Sequence, residues 1–402
     1  MIFALVAGMV ALPALPVDAR DKGGRAKDPV RFATFNASLN RFNEGELIDD
    51  LSTPDDPQAQ AVAEIIQRTR PDVLLINEFD YDAEGLAVDL FRANYLEVGQ
   101  GGAAAITYPY AYVAPSNTGI PSGQDLDNSG SVVCPGDAYG FGFFEGQFGM
   151  AVLSRYPIDI DAVRTFQTFL WADMPGALLP DDLTTPEPAD YYSDEELAIF
   201  RLSSKSHWDV PVDIGNKTVH FLVSHPTPPV FDGEEDRNGR RNHDEIRFWA
   251  DYVLPSRDDY IYDDSGVTGG LDPGALFVMA GDQNADPFDG DSVAGAAQQL
   301  LDHPLINTKL TPDSDGAVEQ SILQDATNDD HIGNPAYDTA DFAEPPGNLR
   351  VDYVLPRKSL RILDAGVFWP TTDAPRFDLV GTFPFPSSDH RLVYVDVAVP
   401  GR

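Results

Sequence analysis

The 402-residue chain carries 65 Asp or Glu against 27 Lys or Arg, a formal net charge of −38. Long nucleic acids are held mainly by cations that displace counterions, so a surface of this sign repels them and disfavours them as partners. With 43% hydrophobic residues and 10% aromatics the chain can bury a large core and is not a disordered acidic tail. Its cations are six Lys and 21 Arg, a bias toward the planar fork that grips carboxylate or phosphate. A single cysteine, Cys134, excludes an intrachain disulfide and a Cys-rich metal site, and reads as a small buried or loop residue.

In chain order, the first feature is an apolar run from Ile2 to Pro16, broken by Pro13 and Pro16 and followed by Val17-Asp18-Ala19. It is too short to span a bilayer and has the small residues that a signal peptidase reads, although no Lys or Arg precedes it. The expectation is a signal peptide over residues 1–19, export to a secreted or periplasmic location, and one domain over residues 28–402. No later segment approaches 18 consecutive apolar residues, which predicts no stable membrane insertion.

Short β-branched or aromatic runs then recur at 31–39, 72–80, 110–115, 149–158, 219–227, 275–284, 350–356 and 392–399. Each is bounded by Gly, Pro, Asp or Asn, the pattern of a strand. Two helices stand out between them. Ala59 to Arg70 places Val62, Ile65 and Ile66 on one face, and His243 to Leu254 does so with Ile246, Trp249, Ala250 and Val253. Pro71 and Pro255 stop them. Gly-, Asp- and Pro-rich stretches at 116–148, 172–193, 256–274 and 311–348 read as long loops on a sandwich core.

Five of the apolar strands end in groups suited to chemistry. These are Asn36, Asn77 with Glu78, Ser224 with His225, Asp282 with Asn284, and Ser388, Asp389 and His390 ahead of the last strand. Asp352 lies one residue inside its run, where a carboxylate is costly unless paired. Each alone is an ordinary turn residue; their joint occurrence in order is the signal.

The segments FNAS, PDVLLINEFD, GMAVLSRYPI, LVSHPT, GDQNADP, RVDYVLP and SSDHRLVYVDV resemble, in that order, the endonuclease/exonuclease/phosphatase superfamily. The resemblance spans about residues 28 to 400, and implies an α+β fold: a four-layer α/β sandwich of two mixed β-sheets packed face to face with helices outside. It further implies that Glu78 is the principal metal-binding carboxylate, with Asn36 and Asp389 beside it. His390 and Asp352 resemble the His–Asp dyad, Asp282 and Asn284 the pair that orients the attacking water, and His225 the histidine that faces the dyad. A hard divalent ion, Mg²⁺ or Mn²⁺, suits such oxygen donors. Many members carry an acidic residue two positions after the first Asn, where this chain has Ser38.

Three further features call for a test. Arg237, Arg240, Arg241 and Arg247 cluster in a chain starved of cations, and Arg240 and Arg241 are candidates to clamp a substrate phosphate at a helix start. Lys205 and His207 precede a strand that leads to His225, and are candidate substrate contacts. Asp125, Asp127 and Ser129 before Gly130 form the first half of a calcium loop that lacks its final Glu, so a structural Ca²⁺ is weighed there; Asp286, Asp289 and Asp291 read as turn formers. Trp171, Trp208, Trp249 and Trp369 lack the spacing of a base-stacking platform and read as core or pocket wall.

Together these observations point to a secreted, divalent-metal-dependent phosphoesterase that hydrolyses small phosphate mono- or diesters by in-line attack of water. The alternatives are an extracellular nuclease, which would need a basic groove, and a non-catalytic calcium-binding domain, which would have lost the seven-residue set. A sphingomyelinase-like membrane enzyme would need an exposed aromatic hairpin, and none is clear.

Overall fold

The computed structural model describes residues 29–342 and 345–401. The segment expected to be a signal peptide lies outside the described residues. Among the described residues, thirteen strands run β1 (Val30–Leu39), β2 (Val73–Phe79), β3 (Tyr110–Tyr112), β4 (Met150–Ser154), β5 (Arg164–Thr165), β6 (His207–Ile214) and β7 (Lys217–Ser224). They continue as β8 (Leu276–Asp282), β9 (Ala340–Asp341), β10 (Asn348–Leu349), β11 (Asp352–Pro356), β12 (Arg361–Val367) and β13 (Val393–Ala398).

One six-stranded sheet has the order β12-β13-β1-β2-β4-β3, and a five-stranded sheet the order β11-β8-β7-β6-β5. Both are mixed and share a plan. In the first, β1 and β2 are parallel and are flanked by antiparallel β13 and β4. In the second, β7 and β8 are parallel and are flanked by antiparallel β6 and β11.

The period of two along the strands builds the layers. On β7 and β8, Val219, Phe221, Val223, Val278 and Ala280 join the core between the sheets, where the Phe32 and Phe221 rings lie 5.6 Å apart. Their alternate neighbours Leu222, Phe277 and Met279 face the other way, into a second core with Ile246, Trp249 and Val253 of the helix Arg237–Tyr252. On the outer face of the first sheet packs the helix Pro57–Thr69, started by the Asp56 side chain on the Ala59 N–H and by Pro57. The result is the expected four-layer sandwich. All four tryptophans are buried, and Cys134 is an exposed loop residue.

Two boundaries differ from the sequence expectation. The second helix begins at Arg237 rather than His243, because its first turns bury polar residues, Arg241, Asn242 and Glu245, in place of an apolar stripe. The stretch 311–348 is not all loop, since it contains the helix Asp315–Leu323 and the two short strands β9 and β10.

Candidate active site

Ligands of parallel strands collect at their C-terminal ends, and each sheet here offers one parallel pair. The ends of β1 and β2 carry Asn36, Asn77 and Glu78; the ends of β7 and β8 carry Ser224, His225 and Asp282. Face-to-face packing brings the two pairs together at one end of the sandwich.

Asp282 is the junction. Its Oδ2 accepts from Asn36 Nδ2 at 3.1 Å, lies 3.3 Å from His225 Nε2 and 3.6 Å from His390 Nε2. Its Oδ1 accepts from the Asn284 N–H at 2.9 Å, and its own N–H donates to Asn77 Oδ1 at 3.3 Å. His390 is held on its other side by Asp352, with Nδ1 2.9 Å from Oδ2, and the Thr339 hydroxyl donates to that same oxygen at 2.8 Å. Asn36 Nδ2 also donates to Glu78 Oε1 at 3.1 Å, and Asn40 Nδ2 to Glu78 Oε2 at 2.9 Å. Asp389 completes the rim, reached by the Ser38 hydroxyl at 3.5 Å and the Ser388 hydroxyl at 3.4 Å. The position that lacks an acid, Ser38, is thus tied to a carboxylate that arrives from the last loop.

The backbone is bent to make this geometry. Ser38, Glu78 and Asn284 all have positive φ, at 48°, 55° and 51°, a region that side chains other than glycine rarely occupy and that concentrates at functional sites. The β1 to β2 register slips between Asn36 and Leu39, which swings Asn40 onto Glu78. Gly281, with φ 151°, is needed for close approach, since a Cβ there would meet the Ser224 carbonyl oxygen at 2.1 Å.

Burial and charge set the protonation. Burial pulls His390 down, but the facing Asp352 and Asp282 carboxylates outweigh it and hold the imidazole well above its ordinary range. Burial would raise Asp282, yet His390 and His225 keep it below the usual carboxylate range. His225, buried beside Lys205, is pushed down to about 4. Glu78 is raised, first by burial and then by Asp389. A buried carboxylate raised beside a second one is a fitting seat for a hard cation, and Asn36, Glu78 and Asp389 supply the oxygen donors that Mg²⁺ prefers. Asp282, Asp352 and His390 also bring one ligand atom each within 4.8 Å of one another, but the imidazole there is already held by Asp352.

The site opens into a cleft of about 890 Å³, lined by Glu78, Lys205, His225, Asp282, Asn284, Asp389 and His390 among others. Lys205 is buried, and its ammonium has no hydrogen bond or ion pair within the described residues. Burial lowers its pKa, opposed by Glu245, Glu78 and Asp282. The other expected substrate contacts are corrected by their packing. His207 is a core residue, its Nδ1 2.6 Å from the Ser203 hydroxyl and its Nε2 2.9 Å from the Glu245 carbonyl. Arg240 lies outside the cleft lining and reaches the Leu179 carbonyl at 3.4 Å. Arg241 lines the cleft, but its Nε and Nη2 donate to the carbonyls of Leu202, Tyr139 and Arg201 at 2.6 to 2.9 Å, so it braces the wall instead of clamping a phosphate.

The acidic loops bring carboxylates together but also spend them on backbone N–H groups. Asp125 and Asp127 meet Ser129, whose N–H donates to both carboxylates at 2.9 and 3.0 Å, and Asp137 joins the two aspartates; their oxygens also cap the N–H groups of Leu126, Gly130 and Val133. Asp286 and Asp289 likewise cap turns.

The sequence alone did not assign roles to Asn77, Thr339 and Glu245. Asn77 sits next to Glu78 and ties the sheets together. Thr339 lies in a loop with no motif around it. Glu245 accepts from the N–H groups of Ser204 and Thr227 at 2.7 Å, and its signal was an acid on the apolar side of a helix pattern.

Residues 33–390 match the model of the Endonuclease/Exonuclease/phosphatase family. The chain belongs to that family. Its members are metal-dependent phosphoesterases and nucleases. No curated protein matches the sequence. Among solved structures, this family member is similar to an endonuclease/exonuclease/phosphatase from Beutenbergia cavernae, at 16% identity and a TM-score of 0.49, covering 93% of this chain and 72% of that one. It is similar to sphingomyelinase C from Streptomyces griseocarneus, at 15% identity and a TM-score of 0.46, covering 92% and 99%. A beta toxin mutant from Staphylococcus aureus with bound magnesium ions matches at 14% identity and a TM-score of 0.45, covering 92% and 99%. Among the described residues of this chain, no helix is long and apolar enough to cross a membrane.

Proposed function

We propose that this protein is a divalent-metal-dependent phosphoesterase that hydrolyses small phosphate mono- or diesters by in-line attack of water. The observation that carries the reading is Asp282 at the meeting point of His225, His390 and Asn36, with Asp352 behind His390.

Each side chain has a task that follows from its place. Asp352 fixes the tautomer of His390, so that Nε2 faces the cleft and can hold a phosphoryl oxygen or exchange a proton there. Asp282 and Asn284 orient the attacking water, with the carboxylate as proton acceptor. His225, on the same Asp282 oxygen as His390, is placed to hydrogen-bond the leaving oxygen, and the proton it needs is held by His390, the imidazole that the two carboxylates keep charged. Lys205 offers an unpaired cation to the charge that builds on the phosphoryl oxygens. Asn36, Glu78 and Asp389 would hold the metal, Mg²⁺ or Mn²⁺ by their oxygen chemistry, which supplies Lewis-acid stabilisation of the phosphoryl group.

Charge favours a small ester over a polymer. Of the cations that line the cleft, Arg237 is paired with Glu235 and Arg241 is bound to backbone carbonyls, which leaves Lys205. One free cation is too few to hold a polyanion against a net charge of −38. The apolar run at Ile2 to Pro16 supports an exported protein, with the catalytic domain over residues 28–402.

The test is initial rate on p-nitrophenyl phosphate and bis-p-nitrophenyl phosphate with EDTA, Mg²⁺, Mn²⁺ or Ca²⁺, for wild type and His390→Ala. Turnover that needs metal and collapses by about 10³-fold in the variant is expected. Silence on both esters while plasmid DNA is cut would hand the reading to a nuclease.

A further inference from the structure

We infer that the ester this site accepts carries an apolar alkyl or aryl substituent, which occupies the part of the cleft away from the charged groups. The inference rests on the phosphoesterase reading and names the substrate class within it.

The cleft is about 890 Å³, several times what a phosphate needs. Beyond the catalytic groups it is lined by Leu126, Phe148, Tyr192, Phe200, Pro228 and Leu349. This wall is built to stay in place. The Tyr192 and Phe200 rings lie 4.8 Å apart, Trp171 packs on Phe200 at 5.8 Å, and the Arg241 guanidinium sits 4.7 Å over the Phe200 ring.

Polar groups along the same wall are already engaged. Asn238 Nδ2 donates to the Val230 carbonyl at 2.7 Å, the Ser292 hydroxyl to the Asp286 carbonyl at 3.3 Å, and the Arg241 donors to three carbonyls. Asp286 and Asp289 accept from the N–H groups of Phe288, Ile332 and Gly333, which leaves the hydroxyls of Thr227 and Tyr192 and the Asp291 carboxylate, too few to match a sugar or a nucleobase, whose polar edges would lose their water without replacement.

A second, independent feature lies at the mouth. Phe231 and Phe141 line the cleft while 90% and 59% exposed. Phe231 also has φ 67°, a conformation that a bulky L-residue avoids and that surroundings must enforce. A strained backbone that presents a phenyl ring to water gains nothing for folding, and fits a surface that an apolar chain slides across.

The step needs no further reactant. Water oxygen bonds to phosphorus, the bond from phosphorus to the ester oxygen breaks, and the proton released by water ends on the departing alcohol or phenol. The apolar substituent adds binding energy by leaving water, about fourfold in kcat/KM for each methylene that enters the wall.

The experiment measures kcat/KM for n-butyl, n-octyl and n-dodecyl phosphate and their methyl diesters, below their micelle concentrations, beside glycerol phosphate, glucose phosphate and a nucleoside monophosphate. A rise with chain length that flattens in the Phe141→Ser, Phe231→Ser double variant is expected. A flat series, or preference for the sugar or nucleoside ester, overturns the inference while leaving the phosphoesterase intact. Loss of turnover on every ester, including the p-nitrophenyl ones, overturns the phosphoesterase reading itself. Presenting the dodecyl diester free and in phosphatidylcholine vesicles separates the sources: faster turnover in vesicles assigns a lipid, and faster turnover free in solution assigns a dispersed alkyl or aryl ester.

Discussion

Two regions of the molecule carry polar residues that look equally functional in the sequence, and they meet different fates. At the sheet ends, Asn36, Glu78, His225, Asp282, Asp352 and His390 converge. Along the segment 201–207 and the start of the helix Arg237–Tyr252, only Lys205 turns a free charge into the cleft, while His207 and Arg241 are consumed by the core. A group on the last residue of a strand has its direction set by the sheet, so topology commits it. A long side chain on a helix start has several carbonyls within reach, and the nearest unpaired ones take it.

That contrast can be broken most sharply at Asp282. Asp282→Asn removes the acceptor between two imidazoles, and kcat/KM should fall by about 10³-fold or more while the fold persists; a loss under tenfold would remove Asp282 from the centre of the site. Next in size is Arg241→Met, which strands three buried carbonyls and should cost about 3 kcal/mol in urea unfolding. Unchanged stability with lost activity would instead restore Arg241 as a phosphate clamp. Lys205→Met should lower kcat/KM by about 10²-fold with stability held or raised, because a buried charge disappears; the opposite pattern would class Lys205 with its structural neighbours.

The effect at His207 appears only with pH, and its sign is fixed by burial. Folding holds His207 down to about 4, first by desolvation, against about 6.5 in the unfolded chain. Between those values the unfolded state binds a proton that the folded state refuses, so stability falls as pH drops from about 6.5 toward 4, by at most about 3 kcal/mol. The difference in unfolding free energy between wild type and His207→Gln, followed from pH 7 to 4.5, should shrink accordingly; a pH-independent difference would mean His207 is not buried neutral.

The same contrast explains what could be read from the sequence. The strands were legible because β-branched runs mark sheets buried on both faces, and the site was legible because its members stand at the ends or starts of those runs. β12 was not, since Arg361–Val367 is an edge strand whose first five positions are exposed or half-buried and include an interrupting aspartate. The first turns of the helix Arg237–Tyr252 were hidden for the converse reason: they bury polar groups, and a periodicity built on apolar residues passes over Arg241, Asn242 and Glu245. Sequence type also could not separate Lys205 from His207, two positions apart, because what distinguishes them is the Ser203 hydroxyl and the Glu245 carbonyl on either side of the imidazole.

The position of β13 has a consequence for how activity is acquired. This strand follows all its partners in the chain, yet it lies between β12 and β1, and Arg31 reaches across to Asp396 at 2.7 Å. While the polypeptide emerges, β1 has β2 on one side and an open edge on the other, and His390 arrives only with the strand that closes it. Refolding should therefore show a lag: tryptophan burial in the second core can run ahead, but hydrolysis waits for contacts spanning more than three hundred residues, which form late because closing so long a loop is entropically costly.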